Sequence, residues 1–175
     1  MILYAHPALE KSRVNRVLVD GVRGLPGVTF HDLYQEYPDF DIDVPREQRL
    51  MTEHDPIVLH FPFYWYSTPA LIKEWEDLVL EHGWAYGHEG DALQGKSLAA
   101  AVTTGASAEA YSRTGLNRYR MDEFLIPLER TAALCGMRWL QPFIVHGTHD
   151  LNVTAIQGQA GRYRQFIENL RSGAG

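Results

Sequence analysis

The segment IVLHFPFYWYSTPALIKEWEDLVL, residues 57 to 80, decides the expected fold of this chain. It opens with a short apolar run, Ile57 to Phe61, which is typical of a buried strand. From Ala70 to Leu80 the apolar residues follow the 3.6-residue period of an amphipathic helix. A strand joined to a helix through one loop is the repeating unit of parallel α/β sheets.

The same unit recurs along the chain. Strands are predicted over residues 2–5, 28–33, 57–61, 97–103 and 138–145, and helices after Ser12 and over residues 45–53, 70–80, 125–135 and 156–170. Ser12 is a suitable N-cap for the first helix, which we expect to stop at Gly24 or Gly27. Five strands alternating with five helices predict one domain over residues 1–175. This is an α/β, flavodoxin-like, doubly wound parallel sheet of order 2-1-3-4-5 with helices on both faces.

The composition limits the class of ligand. The 175 residues carry a formal net charge of −6, and Lys and Arg form no basic block, so we expect no nucleic-acid partner. The only cysteine, Cys135, excludes an internal disulfide, and its position in a helical pattern predicts burial. No apolar run approaches the roughly 20 residues of a membrane span, and no signal-peptide pattern is present. These features predict a cytoplasmic protein that binds small molecules or proteins.

In this fold the ligand crevice collects the loops after strands one, three and four. The first loop lacks the glycine patterns of dinucleotide and P-loop sites. It offers a helix N-terminus, the Ser12 hydroxyl, the Asn15 amide and a cation at His6 or Arg16, which together suit a phosphate. The alternative is an ordinary capped helix with a solvated arginine.

The loop after strand three contains four consecutive aromatic residues, Phe63 to Tyr66. They cannot all point inward from one loop, which indicates contact with a cavity, a partner or a flat ligand, and flavin is the first candidate. A hydrophobic lid or a dimer contact is the alternative. After strand four, Thr103 to Ala106 provide hydroxyls and a flexible backbone, and the stretch from Thr104 to Asp122 is long enough to favour a functional role.

Other chemistries have weaker signals. No G-x-S-x-G elbow supports a serine hydrolase. The histidines and aspartates fit neither zinc nor calcium patterns, so we expect no metal, and the aspartates are expected to form a solvated acidic face. The residues considered were His82, His88, His146 and His149 for zinc, and Asp39, Asp41 and Asp43 for calcium.

Several ordered motifs together carry a family resemblance. They are Tyr-Ala-His-Pro at 4–7, Leu-Tyr-Gln-Glu-Tyr-Pro-Asp-Phe-Asp-Ile-Asp at 33–43, Phe-Pro-Phe-Tyr-Trp-Tyr-Ser-Thr-Pro-Ala at 61–70, His-Gly-Trp-Ala-Tyr-Gly at 82–87 and Thr-Thr-Gly at 103–105. With these motifs the chain resembles, nearly end to end, the flavodoxin-like NAD(P)H:quinone oxidoreductases. Within that family it is most similar to the ancillary subunits of bacterial glutathione-regulated potassium efflux systems.

The resemblance implies FMN, with FAD as the alternative, and reduction of quinones by NADH or NADPH through a ping-pong hydride transfer at flavin N5. It also implies a homodimer with active sites at the interface. The residues assigned to phosphate and ribityl binding are His6, Ser12, Arg13, Val14 and Asn15. Those assigned to the flavin ring are Phe63, Tyr64, Trp65 and Tyr66, and those assigned to its pyrimidine side are Thr103, Thr104, Gly105 and Ala106. Trp84 and Tyr86 would close the substrate pocket from the other subunit.

The chain also departs from the family pattern. Tyr111 is the one candidate catalytic residue, because it matches a tyrosine that faces the flavin in the mammalian enzymes. Asn117, assigned to the substrate pocket with Trp84 and Tyr86, stands where their histidine would be, so Tyr111 is expected to shape the pocket or donate a hydrogen bond. Ala106 replaces the usual second glycine, and the first strand starts almost at Met1, which suggests a truncated start. The resemblance leaves two alternatives open. One is a flavin-carrying regulatory subunit of a potassium efflux transporter, peripheral at the inner face of the membrane, and the other is a one-electron flavodoxin-type carrier.

Overall fold

In the computed structural model, which describes residues 1–173, one parallel sheet forms the centre of the molecule. Its order is β2-β1-β3-β4-β5, and β6 also pairs with β4. The predicted doubly wound order is therefore confirmed. The strands are β1 (Ile2–Tyr4), β2 (Phe30–Asp32), β3 (Ile57–Pro62), β4 (Ser97–Thr103), β5 (Arg138–Trp139) and β6 (Phe143–Val145).

Seven α-helices connect or flank these strands within the described residues, together with two short 3₁₀ helices at Leu9–Lys11 and Ala108–Tyr111. None of the helices over residues 1–173 has the length and apolar character needed to cross a bilayer. The helices are α1 (Arg13–Asp20), α2 (Leu33–Glu36), α3 (Val44–Glu53), α4 (Ala70–Val79), α5 (Met121–Phe124), α6 (Ile126–Leu134) and α7 (Val153–Ser172).

Three sequence predictions about these elements were wrong. The strand predicted over 138–145 is divided into two segments, β5 and β6, so the sheet has six strand segments rather than five. The division occurs because Pro142 lies between the segments and has no N–H to donate to the neighbouring strand. The first helix ends at Asp20, before a turn that runs to Gly24. The second strand stops at Asp32 because the Asp32 carboxylate caps α2, a helix that was not predicted, by accepting the N–H groups of Tyr34 and Gln35.

The sheet separates two apolar cores because successive side chains of a strand point to opposite faces. Leu3 and Leu59 pack with the helices of one layer, including Trp75 of α4. Ile2, Tyr4 and Val58 pack with α1 and α7 on the other side. Cys135 is buried and unbonded in the first core, as the helical pattern predicts.

A fully buried carboxylate, Glu47 of α3, joins three elements of the first core. Its Oε1 accepts hydrogen bonds from Tyr37 Oη at 2.6 Å and from His31 Nε2 at 2.8 Å, and its Oε2 accepts one from Trp75 Nε1 at 2.8 Å. Burial raises the pKa of Glu47, but the hydrogen bonds from these donors outweigh it and hold the pKa below its ordinary value. The carboxylate thereby ties β2, α3 and α4 together.

Candidate functional site

Three of the loops that carry the predicted site residues meet at one edge of the sheet. The strands are parallel, so the loops after β1, β3, β4 and β6 all leave from the same edge. Backbone hydrogen bonds tie them together: Phe63 N–H donates to Thr103 O at 2.8 Å, and Thr104 N–H donates to Val145 O at 2.8 Å. These loops thus form one connected surface, which we call the candidate cleft, and it carries side chains from distant parts of the chain.

The N-terminus of α1 is built to donate hydrogen bonds. Ser12 is its N-cap, as predicted, and Ser12 Oγ accepts both the backbone N–H and the Nδ2–H of Asn15 at 3.1 Å. Both lone pairs of the Ser12 oxygen are then used, so its remaining capacity is as an O–H donor. The N–H groups of Arg13 and Val14 lie in the first helical turn, where no helix carbonyl is available to them. This donor set fits a phosphate monoester.

The other predicted residues of the first loop differ in what they offer. His6 Nδ1 accepts the Ala8 N–H at 3.0 Å, and burial lowers the pKa of His6, so near pH 7 the ring is neutral and offers Nε2–H rather than the predicted cation. The guanidinium of Arg13 donates to Leu151 O at 3.0 Å. Val14 is buried in the core, so only its backbone faces the loop.

The aromatic loop forms a tight turn with strained backbone. Tyr64 and Ser67 exchange two backbone hydrogen bonds, at 3.0 and 2.9 Å, around Trp65 and Tyr66. Both central residues have positive φ, 49° and 62°, a conformation that two-residue turns normally assign to Asn and Gly. The turn leaves Trp65 95% exposed, while the neighbouring Tyr64 ring lies 6.3 Å from that of His6. Strain of this kind collects at ligand-binding sites, where the exposed side chain has a use.

Phe63, at the base of the aromatic loop, anchors a cluster of rings. Its ring centroid lies 5.5 Å from that of Phe124 and 5.9 Å from that of Tyr111, and burial raises the pKa of Tyr111. Tyr66 Oη donates to Asn117 Oδ1 at 3.3 Å. Tyr111 and Asn117 therefore both lie beside the aromatic loop. Phe124 was not singled out from the sequence, because it belongs to none of the quoted motifs and lies just before the predicted helix over 125–135.

His146, which follows β6, is a further site residue that the sequence identified only as a weak metal candidate. The Thr104 hydroxyl donates to Ala106 O at 2.8 Å, so the contact of 3.0 Å between Thr104 Oγ1 and His146 Nδ1 requires the histidine N–H to donate. The His146 ring lies 5.3 Å from that of Tyr111, and burial lowers the pKa of His146. Its place directly after the last strand was the sequence signal for a role at this edge.

The lack of a side chain at Gly105 has a steric explanation. A Cβ at Gly105 would lie 2.6 Å from His149 Nε2, which is closer than packed atoms approach. Thr103, in contrast, is buried and receives the second Nδ2–H of Asn15 at 3.0 Å. The described residues contain no group of three or more His, Cys, Asp or Glu side chains placed for a metal ion.

A groove of about 370 Å³ runs from the aromatic loop down between α4 and α6. Its lining includes Phe63 and Tyr66 of the aromatic loop, Tyr86 of the loop after α4, and Leu134 and Cys135 at the end of α6. Trp84 does not line the groove and packs against the first core instead. Of the two residues predicted to close a substrate pocket, only Tyr86 therefore faces the groove within this chain.

Glu76 of α4 lies in this groove, and we expect it to make stability pH-dependent. Burial, together with Asp77, raises its pKa to about 7 despite the nearby Lys73. The folded state then binds a proton more tightly than the unfolded state, so stability falls as the pH rises from about 4.5 to about 7. Glu76→Gln should unfold in urea with a smaller loss over that range, whereas Glu74→Gln, at an exposed position of the same helix, should follow the wild type. Parallel stability curves for wild type and Glu76→Gln would contradict this assignment.

Comparison with known proteins identifies relatives that are similar to this chain over nearly its whole length. The profile of a protein family described as having a flavodoxin-like fold matches residues 1–167. The glutathione-regulated potassium-efflux system ancillary protein KefG of Pectobacterium atrosepticum is 47% identical over 169 residues, which cover 97% of this chain and 92% of that protein.

Three solved structures resemble the chain over most of its length. The general stress protein 14 of Treponema denticola, in complex with FMN, has a TM-score of 0.89 and 37% identity and covers 97% of each chain. An NADPH-quinone reductase from P. pentosaceus has a TM-score of 0.86 and 34% identity, over 94% of this chain and 95% of that chain. A structure from Streptomycin violaceusniger described as a tryptophan halogenase has a TM-score of 0.93 and 44% identity, over 95% and 96%. These three proteins are described with different activities, so a proposed function for this chain has to be argued from the residues of its site.

Proposed function

Because this chain belongs to the family with the flavodoxin-like fold that includes NADPH-quinone reductases and KefG ancillary proteins, we propose that it is an FMN-dependent NAD(P)H:quinone oxidoreductase. The observation that carries the proposal is that hydrogen-bond donors and aromatic side chains lie at the same edge of the sheet, with the His6 and Tyr64 rings 6.3 Å apart. The Ser12 hydroxyl and the first turn of α1 can only donate, which suits a phosphate, and the exposed turn at Trp65 and Tyr66 suits a flat ring. The related general stress protein 14 in complex with FMN supports the same choice of ligand.

Each part of the cleft would hold a different part of FMN. Ser12 and the N–H groups of Arg13 and Val14 would bind the phosphate, with His6 beside them. The turn from Phe63 to Tyr66 would pack against the ring, and the backbone from Thr103 to Ala106 would face its pyrimidine side. Bound FMN supplies a ring nitrogen that accepts and returns a hydride.

The chain's own contribution to the reaction is positioning and the holding of protons. Tyr111 keeps its phenolic proton because burial raises its pKa, so it would donate a hydrogen bond from Oη. His146, neutral near pH 7, keeps its Nδ1 proton on Thr104 and fixes the backbone beside Ala106. The aromatic turn, exposed in this chain, would cover one side of a bound ring. NADH or NADPH and then a quinone would occupy the same open face in turn, which is a ping-pong order.

The test is direct: purify the chain, record its visible spectrum and identify any released chromophore by mass. We expect uptake of FMN and NAD(P)H-dependent quinone reduction with parallel double-reciprocal plots. Parallel assays with NADH and NADPH identify the donor. A colourless protein that takes up neither FMN nor FAD contradicts the proposal.

Ser12→Ala should weaken FMN binding by about 10- to 100-fold, since hydrogen bonds to charged groups contribute about 1.5–3 kcal/mol. Riboflavin, which lacks the phosphate, should bind wild type and variant alike, as fluorescence titration will show. Asn152→Ala is the matched control, because Asn152 caps α7 by accepting the Ala155 N–H at 2.9 Å but lies outside the cleft that we assign to FMN. Equal losses for FMN and riboflavin would place the phosphate elsewhere.

The similarity to KefG favours a second role, as an ancillary subunit of a potassium efflux transporter at the inner face of the membrane. Leu116, 84% exposed, and Tyr119, 52% exposed, are candidates for that contact because they are exposed apolar side chains at the edge of the aromatic cluster, with the Tyr119 ring 5.9 Å from that of Phe124. Potassium efflux from cells that express the transporter should rise with this chain and remain unchanged with a Leu116→Ser, Tyr119→Ser variant that still reduces quinones. Loss of reductase activity in that variant would contradict a separate docking surface.

We also propose that the active unit is a homodimer. Ile126 and Leu134 of α6 are exposed, at 47% and 63%, beside the groove that Tyr86 lines. A second copy covering this apolar face would complete the pocket and place Trp84 and Tyr86 of one subunit near the cleft of the other. Sedimentation equilibrium measures the oligomeric state directly. A monomer that retains full quinone reduction would contradict the proposed homodimer.

A further inference from the structure

A buried line of polar side chains runs along one face of the sheet, from α7 through β3 to the N-terminus of α1. Tyr163 Oη lies 3.0 Å from His60 Nδ1, and His60 Nε2 lies 3.1 Å from Asn15 Oδ1. Asn15 Nδ2 in turn donates to Ser12 Oγ at 3.1 Å and to Thr103 Oγ1 at 3.0 Å. Tyr163 and His60 are fully buried, and Asn15 is 3% exposed. The line joins residues of α7, β3 and α1 that are far apart in the chain.

The direction of each hydrogen bond follows from the groups involved. Burial, with His6 nearby, lowers the pKa of His60 to about 3, so the ring is neutral and carries one proton. Tyr163 Oη has His60 as its hydrogen-bond partner among the described residues, so its O–H donates to Nδ1, because the opposite direction would leave a buried O–H without an acceptor. His60 therefore carries its proton on Nε2 and donates to Asn15 Oδ1.

The orientation of the Asn15 amide decides what Ser12 offers to a ligand. Asn15 Oδ1 accepts hydrogen bonds from His60 Nε2 and, at 3.2 Å, from the Thr103 hydroxyl. Because Thr103 Oγ1 can pair with either end of the amide, His60 is the partner that fixes its orientation. In that orientation Nδ2 faces Ser12 and fills the second lone pair of its oxygen, so the hydroxyl proton is directed away from Asn15. If the amide turned over, Oδ1 would face Ser12 and accept the hydroxyl proton. Ser12 would then be satisfied within the protein and would offer no donor to an anion.

We propose that Tyr163 and His60, which lie outside the loops of the cleft, are positioning residues that direct the Ser12 hydroxyl toward the FMN phosphate by holding the Asn15 amide in one orientation. The inference rests on the proposed function, because the phosphate is the group that the hydroxyl meets. It adds a requirement that the cleft residues alone do not contain. Recognition of the phosphate depends on one phenolic hydrogen in α7.

The experiment compares FMN with riboflavin in Tyr163→Phe. Removal of the hydroxyl frees His60 to change tautomer and the amide to turn, so the preference for FMN over riboflavin should fall by about tenfold, which corresponds to about 1.4 kcal/mol. In a Ser12→Ala background the same change should have little further effect on FMN binding, because both act through one hydroxyl. A loss of folding alone would weaken both ligands equally.

Tyr37→Phe is the matched control. It removes another buried tyrosine hydroxyl, whose partner is Glu47 and not the cleft, and it should lower the melting temperature without changing the preference for FMN. The state of His60 can be read without any ligand by ¹⁵N NMR: we expect the Nε2–H tautomer alone in wild type and a mixture of tautomers in Tyr163→Phe.

The outcomes separate the inference from the proposed function. If wild type prefers FMN but Tyr163→Phe leaves that preference unchanged, or if the effects of Tyr163→Phe and Ser12→Ala simply add, the inference is overturned and the function stands. A wild-type His60 with its proton on Nδ1 also overturns the inference alone. If wild type binds neither FMN nor inorganic phosphate, the proposed function and the inference both fail.

Discussion

Glu47→Ala should lower the free energy of unfolding by about 3–5 kcal/mol, since removal of one partner from a buried charged network leaves the others without compensation. Three donors would lose their acceptor inside the first core: His31 Nε2, Tyr37 Oη and Trp75 Nε1. Urea unfolding followed by tryptophan fluorescence measures the loss, and Trp75 itself reports on the site. Because these donors join three elements, we expect α3 and β2 to lose their register with α4.

The contribution of Glu47 should also depend on pH. Its folded pKa lies below its ordinary value, so the stabilisation is present above about pH 4.5 and is lost as the pH falls through the folded pKa. The difference between wild type and Glu47→Ala should therefore shrink in acid. Glu53→Ala, at an exposed position of the same helix, should change stability by no more than about 0.5 kcal/mol. A similar loss in both variants would mean that helix propensity, and not the buried network, is responsible.

Replacing Trp65 and Tyr66 together with Asn and Gly should stabilise the fold and weaken FMN binding. Each non-glycine residue with positive φ costs on the order of 1–3 kcal/mol. Loss of the Tyr66 hydrogen bond to Asn117 offsets about 1 kcal/mol of this gain, so we expect the free energy of unfolding to rise by about 2 kcal/mol. The variant loses two exposed aromatic side chains, and aromatic stacking on a flat ligand contributes about 1–3 kcal/mol per ring, so FMN should bind about 10- to 100-fold more weakly. Urea unfolding and flavin fluorescence titration measure the two effects.

Glu89→Gly is the control that separates the effect of relieving backbone strain from an effect on FMN binding. Glu89 also has positive φ, 68°, but it is exposed and outside the aromatic loop. This variant should gain stability without changing the affinity for FMN. If the Trp65, Tyr66 variant instead kept full FMN affinity, the strained turn would have no role in binding and the ring would need another surface.

The elements that local sequence patterns describe were predicted well. The apolar run at Ile57 and the periodic helix from Ala70 give β3 and α4 almost at their observed bounds, and Ser12 caps α1 as its side chain suggests. Short elements were missed because a single turn has no period to detect: α2 and α5 each have four residues. The break before Phe143 was readable from Pro142, but a continuous apolar pattern outweighed it.

The order of the strands and the candidate ligand loops could be derived from the sequence by itself, because alternating strands and helices admit few parallel arrangements and bring the loop tips to one edge. The tertiary structure alone decided which side chains meet there. Asn15 bonds to His60, 45 residues away, and His60 to Tyr163, 103 residues away, while His146 reaches Thr104 across 42 residues. Such contacts depend on strand register and helix packing, and they leave no periodic trace along the chain. Burial within the assembled fold also lowers the pKa of His6, which disfavours the charged ring that the sequence offered, with Arg16, as a candidate cation.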